Sequence, residues 1–395
     1  MHSNIQYSNE MAVKLEAFEV PGARTYFGHA LPYGLQVKSS GPTGLVPPVI
    51  ESAAALRALG DSGKLQDLLD KHGAVLIRGA GNASAETFSK LVGAAEKGRG
   101  SYPHVQIGLA GKRTPLADNV WTANEGSPST RFYQHNEYSR YTRFPSNIHF
   151  YCVKKAPKGE FIPVLSRYCE VTRQIDLVDL SGATPIASSA NVFEKVEAEI
   201  PELVEEISKR GLGMKMVFRA PGNEAKVNQF NWAGEHSFGQ ELTPEDDEAT
   251  TKQKVEKQVR KLTSDFKWNE DGSLELTQHI PGIRRLPASG RPVWFNGLVG
   301  RHGITRDIGA LDPPHIGRDG MTYLPSVYGD DTEIPRRLLD KLIDVIDKEE
   351  ISLILEEGDL LLVDNFQVSH GREPWEGDRQ ILVSMWDTPI SIGEY

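Results

Sequence analysis

The chain predicts a mainly β protein with flanking helices, built on a closed or double-sheet β core. Two observations point there: short runs rich in β-branched and aromatic residues recur between Gly- and Pro-bearing turns, and helical spacing is confined to separate segments.

Taken in order, residues 1–48 are rich in Gly and Pro with little periodicity, and read as an irregular N-terminal arm packed on a main body, 49–395. Ser52 to His72 has helical spacing through Leu56, Leu59, Leu65, Leu68 and Leu69 and stops at Gly73. Ala74 to Gly79 follows as a short buried strand, and Ala83 to Glu96 as a second helix. Ile148 to Val153 is strand-like in composition. Residues 200–280 turn mixed and more charged, with a helix over Glu245 to Leu262, and read as an insertion or lid between core strands. Ile334, Leu338, Leu342 and Ile346 form a helical stripe. Ile351–Leu355 and Asp359–Asp364 flank Glu356-Glu357-Gly358, a hairpin signal; Val368–Arg372 and Gln380–Trp386 flank Pro374-Trp375-Glu376-Gly377, a second one. Neither repeats nor low-complexity tracts occur.

With 395 residues, 39% of them hydrophobic, the chain can bury a sizeable core. A formal charge of −10 argues against a nucleic-acid surface, and the lysines of Lys252 to Lys267 alternate with acids as on a solvated helix. Only Cys152 and Cys169 are present, so no disulfide framework is needed, and neither has an activating neighbourhood. No secretory-signal layout and no run of ~20 apolar residues is found, which leads us to expect an intracellular, cytoplasmic protein without a membrane partner. A small-molecule substrate is the expected partner; a homo-oligomer is left open.

Of the eleven histidines, only His135 is followed two positions later by an acid, Glu137. On a strand, residues i and i+2 share a face, so an imidazole and a carboxylate could close on one metal. A further histidine from a distant strand, His370, would complete a two-His-one-carboxylate triad, a set that leaves half the coordination sphere open and suits non-haem Fe(II). In the second hairpin, a midpoint at Trp375 would set His370 opposite Ile381 and Arg372 opposite Arg379. Arg379 and His370 would then share a face, and the arginines could grip a carboxylate. A slip of one residue turns Arg379 away and leaves two solvated arginines at a hairpin end. His279, His302 and His315 lie near Gly or Pro in loops and read as surface or hydrogen-bonded histidines, His149 as a packed one, and Trp294 and Phe295 as core.

An ordered series of motifs carries a resemblance. Val120-Trp121-Thr122-Ala123-Asn124-Glu125 leads to His135-Asn136-Glu137. Phe144-Pro145, Phe150-Tyr151-Cys152 and Ala156-Pro157-Lys158-Gly159-Glu160 follow, then Pro292 to Asn296 as a central strand. Tyr328-Gly329-Asp330, Ile334-Pro335, Glu357-Gly358-Asp359 and Asp364-Asn365 lead to His370-Gly371-Arg372 and Gly377-Asp378-Arg379-Gln380-Ile381-Leu382-Val383. Together these resemble the taurine dioxygenase/TfdA-like, clavaminate synthase-like family. The resemblance implies a double-stranded β-helix (jelly-roll, cupin-like) core and an oxygenase using Fe(II), 2-oxoglutarate and O2 on a small organic metabolite. It implies His135, Glu137 and His370 as iron ligands and Arg379, with Arg372 nearby, for the distal carboxylate of 2-oxoglutarate. Asn124 and Glu125 could touch substrate or serve a turn. The glutamate in the triad resembles the clavaminate synthase branch. The family's Gly-Gly-Glu-Thr-Pro, whose threonine helps to hold the co-substrate, reads here as Lys158-Gly159-Glu160-Phe161-Ile162, with Phe161 lacking the hydroxyl. Two alternatives stand beside this reading: a cupin-like metal enzyme that uses no keto acid, and a catalytically silent small-molecule-binding relative.

Overall fold

In the computed structural model, residues 13–39, 47–109, 113–123, 126–157, 181–223 and 231–395 are described. Among them the protein is mainly β with eight helices. The largest sheet has nine strands, in the order Val13–Phe18, Tyr33–Ser39, Ala74–Arg78, Leu360–Asp364, Asn147–Lys154, Gln380–Asp387, Val120–Thr122 and Pro115–Ala117, with Tyr102–Pro103 paired to Gln380–Asp387. A four-stranded sheet runs Ile351–Leu353, Thr184–Ser188, Val368–Arg372, Phe132–His135.

Strand periodicity explains how these two sheets share a core. Leu361 and Val363 join Ile148, Phe150, Ile381 and Val383 in one cluster with Ile186, Val368, Ile351 and Leu353 of the smaller sheet. The alternate residues, Leu360, Leu362, Tyr151 and Leu382, turn the other way and pack under Leu56, Leu65, Leu69, Phe88 and Leu91 of three helices. His149 follows the same rule: fully buried, it donates from Nε2 to Glu96 at 3.0 Å, while Nδ1 accepts from the Val363 amide. It is a packed histidine, as expected.

The helical stretch from 52 to 72 is two helices, Val49–Asp61 and Lys64–His72, broken at Gly63 with φ 75°. The stop at Gly73 is found where expected, with φ 71°. Val49–Asp61 crosses Ala85–Gly98 closely enough that a Cβ on Gly60 would stand 2.7 Å from the Ala95 carbonyl oxygen, so the crossing requires glycine there.

The segment read as an irregular arm instead contributes Val13–Phe18 and Tyr33–Ser39 to the large sheet, the latter in parallel with Ala74–Arg78. Neither C-terminal hairpin forms. Ile351–Leu353 pairs with Thr184–Ser188, and Leu360–Asp364 with Ala74–Arg78 and Asn147–Lys154. Val368–Arg372 and Gln380–Asp387 likewise belong to different sheets, so His370 does not face Ile381; Cys152 does. Each turn carries the chain across the shared core because both strands of each pair bury apolar side chains there. The run at Pro292 is the edge strand Pro292–Trp294 of a three-stranded sheet, not a central strand.

Within 200–280, Leu212–Phe218 and Leu274–Ile280 pair in a further four-stranded sheet, and the expected helix spans Glu248–Val259. Among the described residues no helix is long and apolar enough to cross a membrane.

Candidate metal centre

His135 ends the strand Phe132–His135 and lies directly across from His370 on Val368–Arg372, their rings 4.5 Å apart. Glu137 lies past the strand end, in a turn where Tyr138 has φ 53°, so simple strand alternation does not bring its carboxylate back. Asn365 does. Its Nδ2 donates to the Glu137 and Pro145 carbonyls at 3.0 and 2.8 Å, and its Oδ1 accepts from the Glu137 amide at 2.6 Å. Asn136 adds bonds to the Asn365 carbonyl and the Ser189 hydroxyl. Glu137 Oε2 thereby stands 3.3 Å from His370 Nε2 and 3.9 Å from His135 Nε2.

One ligand atom from each of the three residues lies within 4.8 Å of the others. The donor set fits a cation. His135 gives its Nδ1–H to the Tyr133 carbonyl at 2.8 Å, which leaves Nε2 as the lone-pair nitrogen. Burial and the neighbouring His370 push the His135 imidazole down to about 4, so it is neutral at pH 7. Burial opposes charge on Glu137, yet Arg113 and the two imidazoles hold its carboxyl well below the usual range. Arg113 is a residue that sequence reasoning missed: its Nη2 donates to Glu137 Oε1 at 2.8 Å and leaves Oε2 to face the histidines. It lies in a loop with no recognisable pattern. Phe150 closes one side, edge-on to His370 at 4.9 Å.

Arg379 and Arg372 flank Trp375, at 5.3 and 4.6 Å from its ring. Arg372 also covers Phe132 and donates to the Ser127 and Thr130 carbonyls. Arg379 donates Nε–H to the Gly182 carbonyl at 2.7 Å and from Nη2 to Thr184 Oγ1 at 3.1 Å, with no carboxylate at ion-pair distance among the described residues. Burial lowers Arg379 to about 10; burial and then Arg379 lower Arg372 to about 9. Thr184 lies on the strand that pairs with His370's, two residues before Ile186, which faces His370.

Thr184 had a legible signal. Ser181-Gly182-Ala183-Thr184-Pro185 fits Gly-Gly-Glu-Thr-Pro at the glycine, threonine and proline, better than the run ending at Phe161. The Gly-Glu just after Ala156-Pro157 drew the assignment upstream. Phe161, Asn124, Glu125 and Cys169 lie outside the described residues. Of the three histidines read as loop residues, His302 instead lies in the helix Leu298–Asp307 and pairs with Asp340, His279 lies in the strand Leu274–Ile280 and pairs with Asp265, and His315 bonds the Ala310 carbonyl.

Two imidazoles on paired strands of a β core, with a carboxylate from the turn that follows one of them, define the class: a mononuclear non-haem metal site of the oxygenase type. The profile of the "Taurine catabolism dioxygenase TauD, TfdA family" matches residues 49–386, and the chain belongs to that family. It is therefore a non-haem dioxygenase using Fe(II), 2-oxoglutarate and O2. A clavaminate synthase-like protein of Arabidopsis thaliana is 28% identical over 81% of this chain and 83% of its own length. The dapdiamide synthesis protein DdaC of Enterobacter agglomerans is 27% identical over 82% of this chain and 84% of its own. A solved taurine dioxygenase from Burkholderia xenovorans aligns over 97% of this chain and 90% of its own, at 12% identity with a TM-score of 0.42.

Proposed function

We propose that this chain oxidises a small organic metabolite by hydroxylation, desaturation or cyclisation, on an iron held by His135, Glu137 and His370 in a double-stranded β-helix core. The observation that carries the reading is the convergence of those three donors within 4.8 Å, one carboxylate held ionised and one imidazole held neutral. Bound there, the iron with its keto acid and dioxygen supplies an oxidant able to break an unactivated C–H bond, with succinate and CO2 as co-products.

The protein's own part is placement. Asn365 holds the Glu137 backbone, Arg113 takes Oε1, and the Tyr133 carbonyl fixes the His135 tautomer. Arg379 receives the distal carboxylate of 2-oxoglutarate, where burial strengthens a charge-assisted fork. Thr184, in place of Phe161, supplies the hydroxyl beside it. Residues 49–395 form one catalytic domain, with 200–280 as its insertion. The Enterobacter relative's name supports a substrate from secondary metabolism, and the absence of a spanning helix among the described residues accords with a cytoplasmic enzyme.

The test is an anaerobic titration of Fe(II) and 2-oxoglutarate. A weak visible charge-transfer band is expected; metal binding without the band would favour an enzyme that uses no keto acid, and neither would favour a silent binding relative.

A further inference from the structure

The two strands that carry the metal-binding histidines are not evenly paired. His370 lies opposite His135 and Arg372 opposite Phe132, so two steps along one strand match three along the other. Tyr133 and Gln134 together face Gly371, a β-bulge placed immediately before His135. In an even strand, residues three apart turn to opposite faces. The extra residue brings Phe132 and His135 onto the same one. The bulge also draws in the Phe132 carbonyl: a Cβ on Gly371 would stand 2.7 Å from its oxygen, so glycine is required opposite it.

Each bulged residue is tied down separately. Gln134 is buried, and its Oε1 accepts from the Ser369 hydroxyl at 2.8 Å. Ser369 immediately precedes His370, and neighbours on a strand face opposite ways, so this bond joins the two strands behind the imidazoles. Tyr133 is also buried. Its hydroxyl donates to Asp307 at 2.8 Å and accepts from Arg306 at 3.0 Å, both in the helix Leu298–Asp307. The carbonyl that takes Nδ1–H of His135, and so fixes its tautomer, therefore belongs to the bulge itself.

We propose that this bulge is the device that aims His135 at the metal, and that Gln134 and Ser369 are positioning residues whose bridge holds it in place. This rests on reading His135, Glu137 and His370 as the metal site. Without the bridge the strand relaxes towards even pairing, the Tyr133 carbonyl moves off Nδ1, and the imidazole loses its fixed direction.

The test has two readouts. One is Fe(II) affinity under anaerobic conditions. The other is the His135 tautomer in the metal-free protein, read from spectra of 15N-histidine-labelled samples and assigned with His135→Gln. The wild type should show the Nδ1–H tautomer alone. Gln134→Leu and Ser369→Ala should each mix the tautomers and weaken Fe(II) binding by about 10–100-fold. The double variant should be no weaker than either single one, because both remove the same bond. Ser369→Thr keeps the hydroxyl and should restore both readouts. Wild-type tautomer and affinity in the two single variants, or a Ser369→Thr as impaired as Ser369→Ala, overturns the proposal. If the wild type bound no Fe(II) while the variants still mixed the tautomers, the metal-site reading would fall and the hold of the bulge on His135 would stand.

Discussion

Asn365 holds Glu137 on both sides of its backbone, accepting from the amide at 2.6 Å and donating to the carbonyl at 3.0 Å. A side chain from the loop before the strand of His370 thus fixes the turn after the strand of His135. We expect Asn365→Ala to lower Fe(II) affinity by about 10–100-fold, the usual cost of losing a partner that orients a ligand. Leaving the buried Glu137 and Pro145 groups unpaired should also cost about 1–3 kcal/mol each, before water relieves them. Metal titration alongside chemical denaturation checks both; unaltered metal affinity in a destabilised variant would reduce Asn365 to a structural role.

For the triad itself, His135→Ala, Glu137→Ala and His370→Ala should each abolish succinate formation while leaving the fold intact. A double substitution should be no worse than a single one, because the three act as a unit. Wild-type turnover in any one variant would remove that residue from the centre.

At the co-substrate pocket, Arg379→Ala should weaken 2-oxoglutarate by about 2–5 kcal/mol without altering Fe(II) affinity. Thr184→Val removes the hydroxyl that accepts from Arg379 Nη2, a hydrogen bond to a charged group worth about 1.5–3 kcal/mol, and should raise the 2-oxoglutarate requirement by roughly ten- to a hundredfold. Band titration measures both. If Arg372→Ala carries the large effect and Arg379→Ala is silent, the two arginines exchange roles.

A pH effect on stability should arise away from the metal. Burial, with Asp347 and Glu373 nearby, raises Glu350 to about 8 against the pull of Arg131, which donates to all three carboxylates. The folded state therefore binds a proton that the unfolded chain releases near its ordinary value. Glu350's contribution is fully present below that ordinary value and is lost as pH rises towards 8, with a slope of at most about 1.4 kcal/mol per pH unit. Denaturation midpoints between pH 5 and 9 should flatten in Glu350→Gln; an unchanged slope would assign the effect elsewhere.

The triad was legible because a single His-x-Glu and one later His-Gly-Arg stood inside an ordered set of motifs, and single elements were legible wherever periodicity was strong. Strand partnership was not. Gly358 and Gly377 mark turns that look locally like hairpin tips, yet both turns change sheets, and nothing within ten residues encodes which distant strand waits on the other side. Residues 13–39 failed for a related reason: Val13–Phe18 pairs with Tyr33–Ser39, which is tied into the sheet by the later strand Ala74–Arg78. The run Ser181-Gly182-Ala183-Thr184-Pro185 was legible but passed over, because residues 158–180 separate it from Ala156-Pro157, which the motif was expected to adjoin. Arg113 was hidden because ion pairing across a fold leaves no spacing in a sequence.

The turns that pass from sheet to sheet have a consequence for the order of events during synthesis. Glu137 is translated long before His370, and the strand that seats His370 needs Thr184–Ser188 and Phe132–His135 already in place as its neighbours. A nascent chain still short of residue 370 can present His135 and Glu137 but not the third donor. With iron held by all three donors, its capture would follow the docking of Val368–Arg372 between its two neighbours, and metal loading would report that this strand has found its place.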